Sequence, residues 1–311
     1  MAKILITESV HPIGPELLTA AGHTVVYADR DMDIIRREIV DADAVLVRII
    51  ELPGSLLTTA KNLKIVSKHG VGYDNIDLDY CKSHGIAVTI TPNANSLSVA
   101  EHAFTLMLTL AKNIIPVSNE YRTVGFAAKN HAPGIEMTGK TLGLIGMGRI
   151  GKYVLHMCKD GLDMHVLVYD PYISEVPEGV EKVDDLSELL RRADVVTLHC
   201  LLTDETRKLI DRERLALMKP TALLINCARG PIVDEAALIE ALENGRLAGA
   251  GLDVTDPEPV APDSPLFKLP NVIVTPHYAP TTVESATRVS KIAAENINAV
   301  LAGQEPVGRI V

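Results

Sequence analysis

No stretch of this sequence approaches the ~18 consecutive apolar residues that a membrane span requires. The opening Met-Ala-Lys-Ile-Leu-Ile-Thr is too short an apolar run for a secretory signal and reads as a first buried strand. Cysteine is scarce: Cys81, Cys158, Cys200 and Cys227 lie far apart and form no CxxC pair, which argues against a zinc module or a disulfide framework. Positive charge is in deficit, with 30 Lys and Arg against 40 Asp and Glu and a net charge of −10, and this opposes attraction to phosphate backbones. His69, His102 and His199 are not at metal-ligand spacing, so no metal site is expected. Low-complexity segments and internal repeats are also missing. These absences leave a soluble globular protein of a reducing compartment, with the cytoplasm as the default location and a small molecule as partner.

What is present is enough chain for two cores: 311 residues at ~150 per domain. Over the first hundred residues short apolar runs alternate with helical patterns. Lys3 to Thr7, Thr24 to Ala28, Ala44 to Val47, Lys64 to Ser67 and Ile86 to Ile90 read as strands, and Pro15 to Ala21 and Ile34 to Asp41 as helices. Such alternation predicts a parallel sheet covered on both faces. One long helix is expected from Ser98 to Ile115. After a stretch at 125–139 a second series begins, with strands at Thr141–Ile145, His165–Tyr169, Val195–His199, Ala222–Asn226, Gly249–Asp253 and Val272–Thr275. Six strands with intervening helices is the count of a dinucleotide-binding sheet. The final helix, about Val283 to Ala302, is expected to return to the first domain. The resulting expectation is an α/β protein with two doubly wound parallel-sheet domains: a Rossmann domain at 98–282 inserted into a flavodoxin-like substrate domain made of 1–97 and 283–311.

The strand Thr141–Ile145 enters Gly146-x-Gly148-x-x-Gly151, and a helix follows. Gly146 permits the tight turn, Gly148 lets a pyrophosphate approach the backbone, and Gly151 allows close packing of helix on strand. The N–H groups of Arg149 and Ile150 open the helix and suit phosphate oxygens. Asp170 ends the next strand 19 residues past Gly151, at the place of an acidic ribose ligand. Its carboxylate would repel a 2′-phosphate, and Pro171-Tyr172-Ile173 supplies no arginine to receive one, which favours NAD as the cofactor.

A hydride-transfer site also needs an anchor for a carbonyl or carboxylate and a proton donor. Arg229 follows a strand directly, so its fork stands at the carboxyl rim where ligands bind in such sheets. His277 lies just beyond a later strand, and Glu258 follows the strand between them.

With these residues in place, the sequence resembles the D-isomer-specific 2-hydroxyacid dehydrogenase family over essentially its whole length. The likeness is carried by 68–77 (Lys-His-Gly-Val-Gly-Tyr-Asp-Asn-Ile-Asp), Thr91–Asn95 with Val99–His102, and the Gly146–Gly151 turn. It continues through Asn226–Gly230 with Val233–Glu235, Ala250–Val254 and Thr275–Ala279. The resemblance implies that Arg229 binds the substrate carboxylate and carbonyl, that His277 is the acid/base, and that Glu258 hydrogen-bonds His277; a carboxylate beside imidazole favours its protonated form. It further implies substrate contacts from the backbone of Val71 and Gly72, a nicotinamide contact from Asp253, and a cofactor lining of Cys200, Cys227 and Ala228. A homodimer through the cofactor domain is implied as well.

Two positions depart from the family pattern. His199-Cys200-Leu201 stands where His-x-Pro is common, and Arg48-Ile49-Ile50-Glu51 replaces small hydroxylated residues found after the arginine in phosphoglycerate dehydrogenases of the family. Arg48 and Lys68 could hold a substrate phosphate or other anion, whereas Glu51 opposes one and the two isoleucines suit a less polar group. The expected activity is therefore reversible hydride transfer between NAD(H) and a 2-hydroxy or 2-keto acid of hydroxypyruvate, glyoxylate or 3-phosphoglycerate type, without the regulatory extension of long phosphoglycerate dehydrogenases. The alternative is an NAD-sensing, corepressor-like binding protein of the same fold. Glu258 argues against formate oxidation, and Val71 against phosphite oxidation.

Overall fold

A computed structural model describes residues 1–311, and the chain separates into two compact units, 1–95 with 280–311 and 96–279. The first unit is a five-stranded parallel sheet of β1 (Lys3–Ile6), β2 (Thr24–Tyr27), β3 (Ala44–Val47), β4 (Ile65–Lys68) and β5 (Ala87–Thr89), in the order β2-β1-β3-β4-β5. β3 is buried at every position, as a strand covered on both faces must be. Ile4, Ile6, Leu46 and Ile65 meet Ala293, Ala294 and Ile297 of the helix Val283–Leu301 on one face; Leu5, Val45, Val47 and Val66 meet Ile35, Ile39, Leu57 and Cys81 on the other. The C-terminal helix is fixed there by close approach: a Cβ on Gly14 would lie 2.4 Å from Ser290 Oγ, and Ser67 Oγ donates to the Ala293 carbonyl at 2.9 Å.

The second unit is a seven-stranded parallel sheet of β6 (Thr141–Ile145), β7 (His165–Tyr169), β8 (Val180–Lys182), β9 (Val195–Leu198), β10 (Leu223–Asn226), β11 (Gly249–Leu252) and β12 (Val272–Val274), ordered β12-β11-β10-β9-β6-β7-β8. Counted within the unit, this is the 3-2-1-4-5-6 order of a dinucleotide-binding sheet with one strand added, and its order reverses between β6 and β9. The first sheet has the flavodoxin-like 2-1-3-4-5 order, with its reversal between β1 and β3. Two parallel-sheet α/β domains are thus present, as the alternation of strands and helices predicts.

Two details correct the expectation. The strand beyond the six expected, β8, is a three-residue edge with the sequence Val-Glu-Lys, paired with β7 alone; a short, charged edge strand carries almost no apolar signal. The single helix expected from Ser98 to Ile115 is two, Ser96–Ala111 and Ile114–Val124. Asn113 separates them with φ +50, a left-handed conformation that asparagine adopts more readily than most residues, and its Nδ2 donates to the Pro133 carbonyl at 3.1 Å. The first helix buries Val99, Ala100, Ala103, Leu106 and Met107 within the unit, whereas the second buries nothing and exposes Ile114, Ile115, Tyr121 and Val124. No helix is long and apolar enough to cross a membrane.

Candidate active site

The predicted residues of the second unit collect along the carboxyl rim of its sheet. β6 ends in Gly146, whose φ of +90 needs glycine and whose Cβ position lies 2.7 Å from the Cys200 backbone nitrogen. A Cβ on Gly151 would stand 2.2 Å from the Gly146 carbonyl oxygen, so helix and turn touch only because that atom is missing. At Gly148, by contrast, a Cβ would meet nothing within 4 Å. Gly148 is the N-cap of the helix Arg149–Leu162, and no side chain caps that helix. A tight turn, open space above its middle glycine and an uncapped 14-residue helix start fit the pyrophosphate of a dinucleotide.

Asp170, just past β7, faces the same turn: Oδ2 accepts the Met147 N–H at 2.9 Å and Oδ1 accepts the Tyr172 N–H at 3.0 Å. Tyr172 Oη reaches Glu205 at 3.3 Å, and the negative charges of Glu205 and Asp170 push its phenol upward. The surroundings of Asp170 are therefore acidic. Burial pushes the Cys200 thiol to about 11 with help from Asp170, and the Cys227 thiol well up with help from Asp253, which disfavours a nucleophilic thiolate at either.

Beyond β10, the Asn226 side chain brackets the next turn, accepting the Ala228 N–H at 3.0 Å and donating to the Arg229 carbonyl at 2.9 Å. Gly230 must be glycine because a Cβ would lie 1.9 Å from the Thr255 carbonyl oxygen. Arg229 is half-buried, with Nη1 donating to the Ala228 carbonyl at 2.8 Å. Past β12, His277 takes φ +52 and gives its backbone N–H to the Asp253 carbonyl at 2.8 Å. Its Nδ1 stands 2.7 Å from Glu258 Oε1, so the two residues singled out from sequence are in direct contact. Glu258 lies between two cis X-Pro bonds, Asp256-Pro257 and Glu258-Pro259.

Asp253, expected to meet the nicotinamide, is 1% exposed and engaged at both oxygens. Oδ1 accepts Thr275 Oγ1–H at 2.5 Å and the Tyr278 N–H at 2.7 Å, and Oδ2 accepts the Ala279 N–H at 2.9 Å. Its carboxylate ties down both sides of the turn carrying His277. His102 Nε2 joins that network through Thr275 Oγ1 at 3.0 Å. Asn226, Thr275 and His102 were not assigned such roles from sequence; a buried polar side chain beside a strand end is the signal they share.

In the first unit, Arg48 follows β3 and Lys68 ends β4. Lys68 is 7% exposed, and its ammonium donates to the Arg48 carbonyl and to Asn75 Oδ1. Val71 and Gly72 are half-buried in the loop after β4. No His, Cys, Asp or Glu cluster could hold a metal ion.

A dinucleotide-binding sheet with Arg229, Glu258 and His277 beyond its carboxyl rim defines the class, and comparison with known proteins gives the family. Residues 104–279 match the model of the D-isomer specific 2-hydroxyacid dehydrogenase NAD binding domain, and the chain belongs to that family. It is 43% identical over 308 residues to D-3-phosphoglycerate dehydrogenase of Methanocaldococcus jannaschii, covering 98% of this chain and 58% of that one. It is also 38% identical over 319 residues to glyoxylate reductase of Thermofilum pendens, covering 98% and 93%. The chain thus spans little more than half the length of the phosphoglycerate dehydrogenases of Methanocaldococcus and Archaeoglobus that it matches. Among solved structures, the TT0316 protein from Thermus thermophilus superimposes with a TM-score of 0.91 at 35% identity, covering 99% of this chain and all of that one. The NADPH-dependent glyoxylate/hydroxypyruvate reductase of Sinorhizobium meliloti, in complex with NADP and malonate, gives 0.90 at 29% identity, covering 100% and 97%.

Proposed function

We propose that the protein is an NAD-dependent D-2-hydroxyacid dehydrogenase that interconverts a small 2-keto acid and its 2-hydroxy acid. The observation that carries this reading is the 2.7 Å contact between His277 and Glu258 on the rim that also holds the Gly146–Gly151 turn and Arg229. A bound nicotinamide supplies the hydride to the keto carbon or receives it back. Arg229 would hold the substrate carboxylate and polarise the carbonyl with its fork, an arrangement that favours charge developing on oxygen. His277 would give the oxygen its proton from Nε2 while Nδ1–H stays on Glu258. The backbone N–H groups of Val71 and Gly72 are the further substrate contacts in this proposal.

NAD rather than NADP is supported by Asp170 and by the neighbouring Glu205, whose negative charges would repel a 2′-phosphate. The apolar exposed face of Ile114, Ile115, Tyr121 and Val124 supports a homodimer formed through the cofactor unit. The experiment is oxidation of NADH, and of NADPH in parallel, by hydroxypyruvate, glyoxylate, pyruvate, phenylpyruvate and phosphohydroxypyruvate. One keto acid turned over with NADH is the expected result. In the Arg229→Ala variant, kcat/KM for that acid should fall at least about 10³-fold while NADH still binds; an unchanged value removes Arg229 from the site. Silence across the whole panel with NADH bound would favour the sensor reading instead.

A further inference from the structure

In an open parallel sheet, ligands bind beyond the carboxyl ends of the strands where the strand order reverses. In the first unit that place is the gap between β1 and β3, and this protein fills it from within. Glu8, two residues past β1, is 2% exposed. Its Oε2 accepts the Arg48 N–H at 2.7 Å and Thr7 Oγ1–H at 2.8 Å; its Oε1 accepts the Ile49 N–H at 2.8 Å and the Ile50 N–H at 3.2 Å. Three successive backbone N–H groups converging on one point form a concavity suited to an anion, and here the anion is the protein's own carboxylate.

At the same turn the Lys68 ammonium is bound to the Arg48 carbonyl and to Asn75. His69 is pushed down to about 4 by burial and by the charges of Arg48 and Lys68, and is neutral near pH 7. The loop presents outward Ile49, 45% exposed, and then Glu51, rather than hydroxyls or further N–H groups. A phosphate arriving at this crevice finds the three backbone N–H groups and Lys68 occupied and the buried Glu8 carboxylate facing it.

Resting on the dehydrogenase reading above, we propose that Glu8 is a specificity-determining residue, and that the substrate is a 2-keto acid whose side chain carries no second anionic group. Glu8 acts by holding the Arg48–Ile50 turn closed around its own carboxylate and by repelling a phosphorylated side chain.

The test compares kcat/KM for hydroxypyruvate and phosphohydroxypyruvate with saturating NADH. The wild type should prefer hydroxypyruvate by at least about 10²-fold, and Glu8→Gln should narrow that preference by at least about 10-fold through KM of the phosphorylated acid. Glu8→Asp keeps the charge and should keep the preference. A wild type that prefers phosphohydroxypyruvate overturns the proposal, as does a folded Glu8→Gln with an unaltered ratio. Loss of discrimination in both variants would assign the effect to loop shape and overturn the charge argument.

A second arm needs no turnover. With NADH saturating the nucleotide site, millimolar inorganic phosphate should leave the wild-type Tm within about 1 °C of a chloride control of equal ionic strength. Stabilisation by phosphate that disappears in Arg48→Ala overturns the proposal. If no keto acid is reduced at all, the dehydrogenase reading fails, and this arm still decides whether the crevice excludes an anion.

Discussion

His277 Nδ1 and Glu258 Oε1 stand 2.7 Å apart, which commits one ring nitrogen to a carboxylate and leaves Nε2 for proton exchange. A Glu258→Gln change keeps an oxygen in that position and removes the charge. Ring orientation should survive, whereas the negative charge facing the ring is lost. We expect kcat for keto acid reduction to fall about 10²-fold with little change in KM. An unchanged kcat would detach Glu258 from the acid.

Asp170 bonds two backbone N–H groups, those of Met147 and Tyr172, and so shapes the turn as well as bearing charge. Asp170→Asn preserves size and weakens the repulsion of a 2′-phosphate; Asp170→Ala also releases Met147. In both, the ratio of kcat/KM for NADPH to that for NADH should rise at least about 10-fold, with the larger loss of NADH activity in the alanine variant. A ratio that moves in neither removes Asp170 from cofactor choice.

Two glycines of one turn should behave oppositely. Gly148 has φ −71 and open space where a Cβ would stand, so Gly148→Ala should fold with a Tm close to that of the wild type and bind NADH at least about 10-fold more weakly, because the methyl occupies the path of the pyrophosphate. At Gly151 the new Cβ would stand 2.2 Å from the Gly146 carbonyl oxygen, and the helix must move. Overpacking of this kind costs about 1–3 kcal/mol, and Tm should drop by about 2–10 °C. Thermal melts with and without NADH separate the two effects, and equal Tm losses would refute the distinction.

The strands that sequence pattern located best are those buried on both faces, such as Ala44–Val47, whose unbroken apolar run is the signature of a covered parallel strand. β8 escaped because Val-Glu-Lys at a sheet edge has no such run, and the helix break at Asn113 escaped because apolar spacing continues across it. At the rim, Arg229, Glu258 and His277 could be grouped from the sequence because each lies in the loop that follows a strand, and the strand ends of one parallel sheet share an edge. Asp253 was singled out only through the family resemblance, and its three ties to the His277 turn were not foreseen. The pairing of Glu8 with the N–H groups of residues 48–50 was invisible, since it joins segments 40 residues apart through a backbone geometry that no residue pattern encodes.

Acid stability offers a test that does not depend on activity. Burial pushes His199 down to about 3, and burial together with the Arg48 and Lys68 charges pushes His69 down to about 4. Unfolded histidine titrates near 6.5, so between about pH 6.5 and 4 the unfolded chain binds protons at both positions while the folded chain does not. Stability must rise with pH across that window, and lowering the pH through it should make unfolding take up about two extra protons from these residues. Burial opposes ionisation of Asp43 and Asp194, yet bonds to lysine and backbone N–H groups hold both of them, and Asp234, below the usual carboxylate range. These three weaken the fold in the same direction only once the pH falls into the ordinary aspartate range. Burial pushes Glu235 upward, and it acts with the opposite sign. Urea unfolding midpoints measured from pH 8 to 4 should therefore fall steeply below about 6.5. His199, whose Nδ1 is buried without a partner, can be replaced by Gln to remove one of the two protons, and His69→Gln removes the other. Each change should flatten the slope by about one proton, and a His199→Gln curve parallel to the wild type would show that this imidazole is protonated in the folded protein.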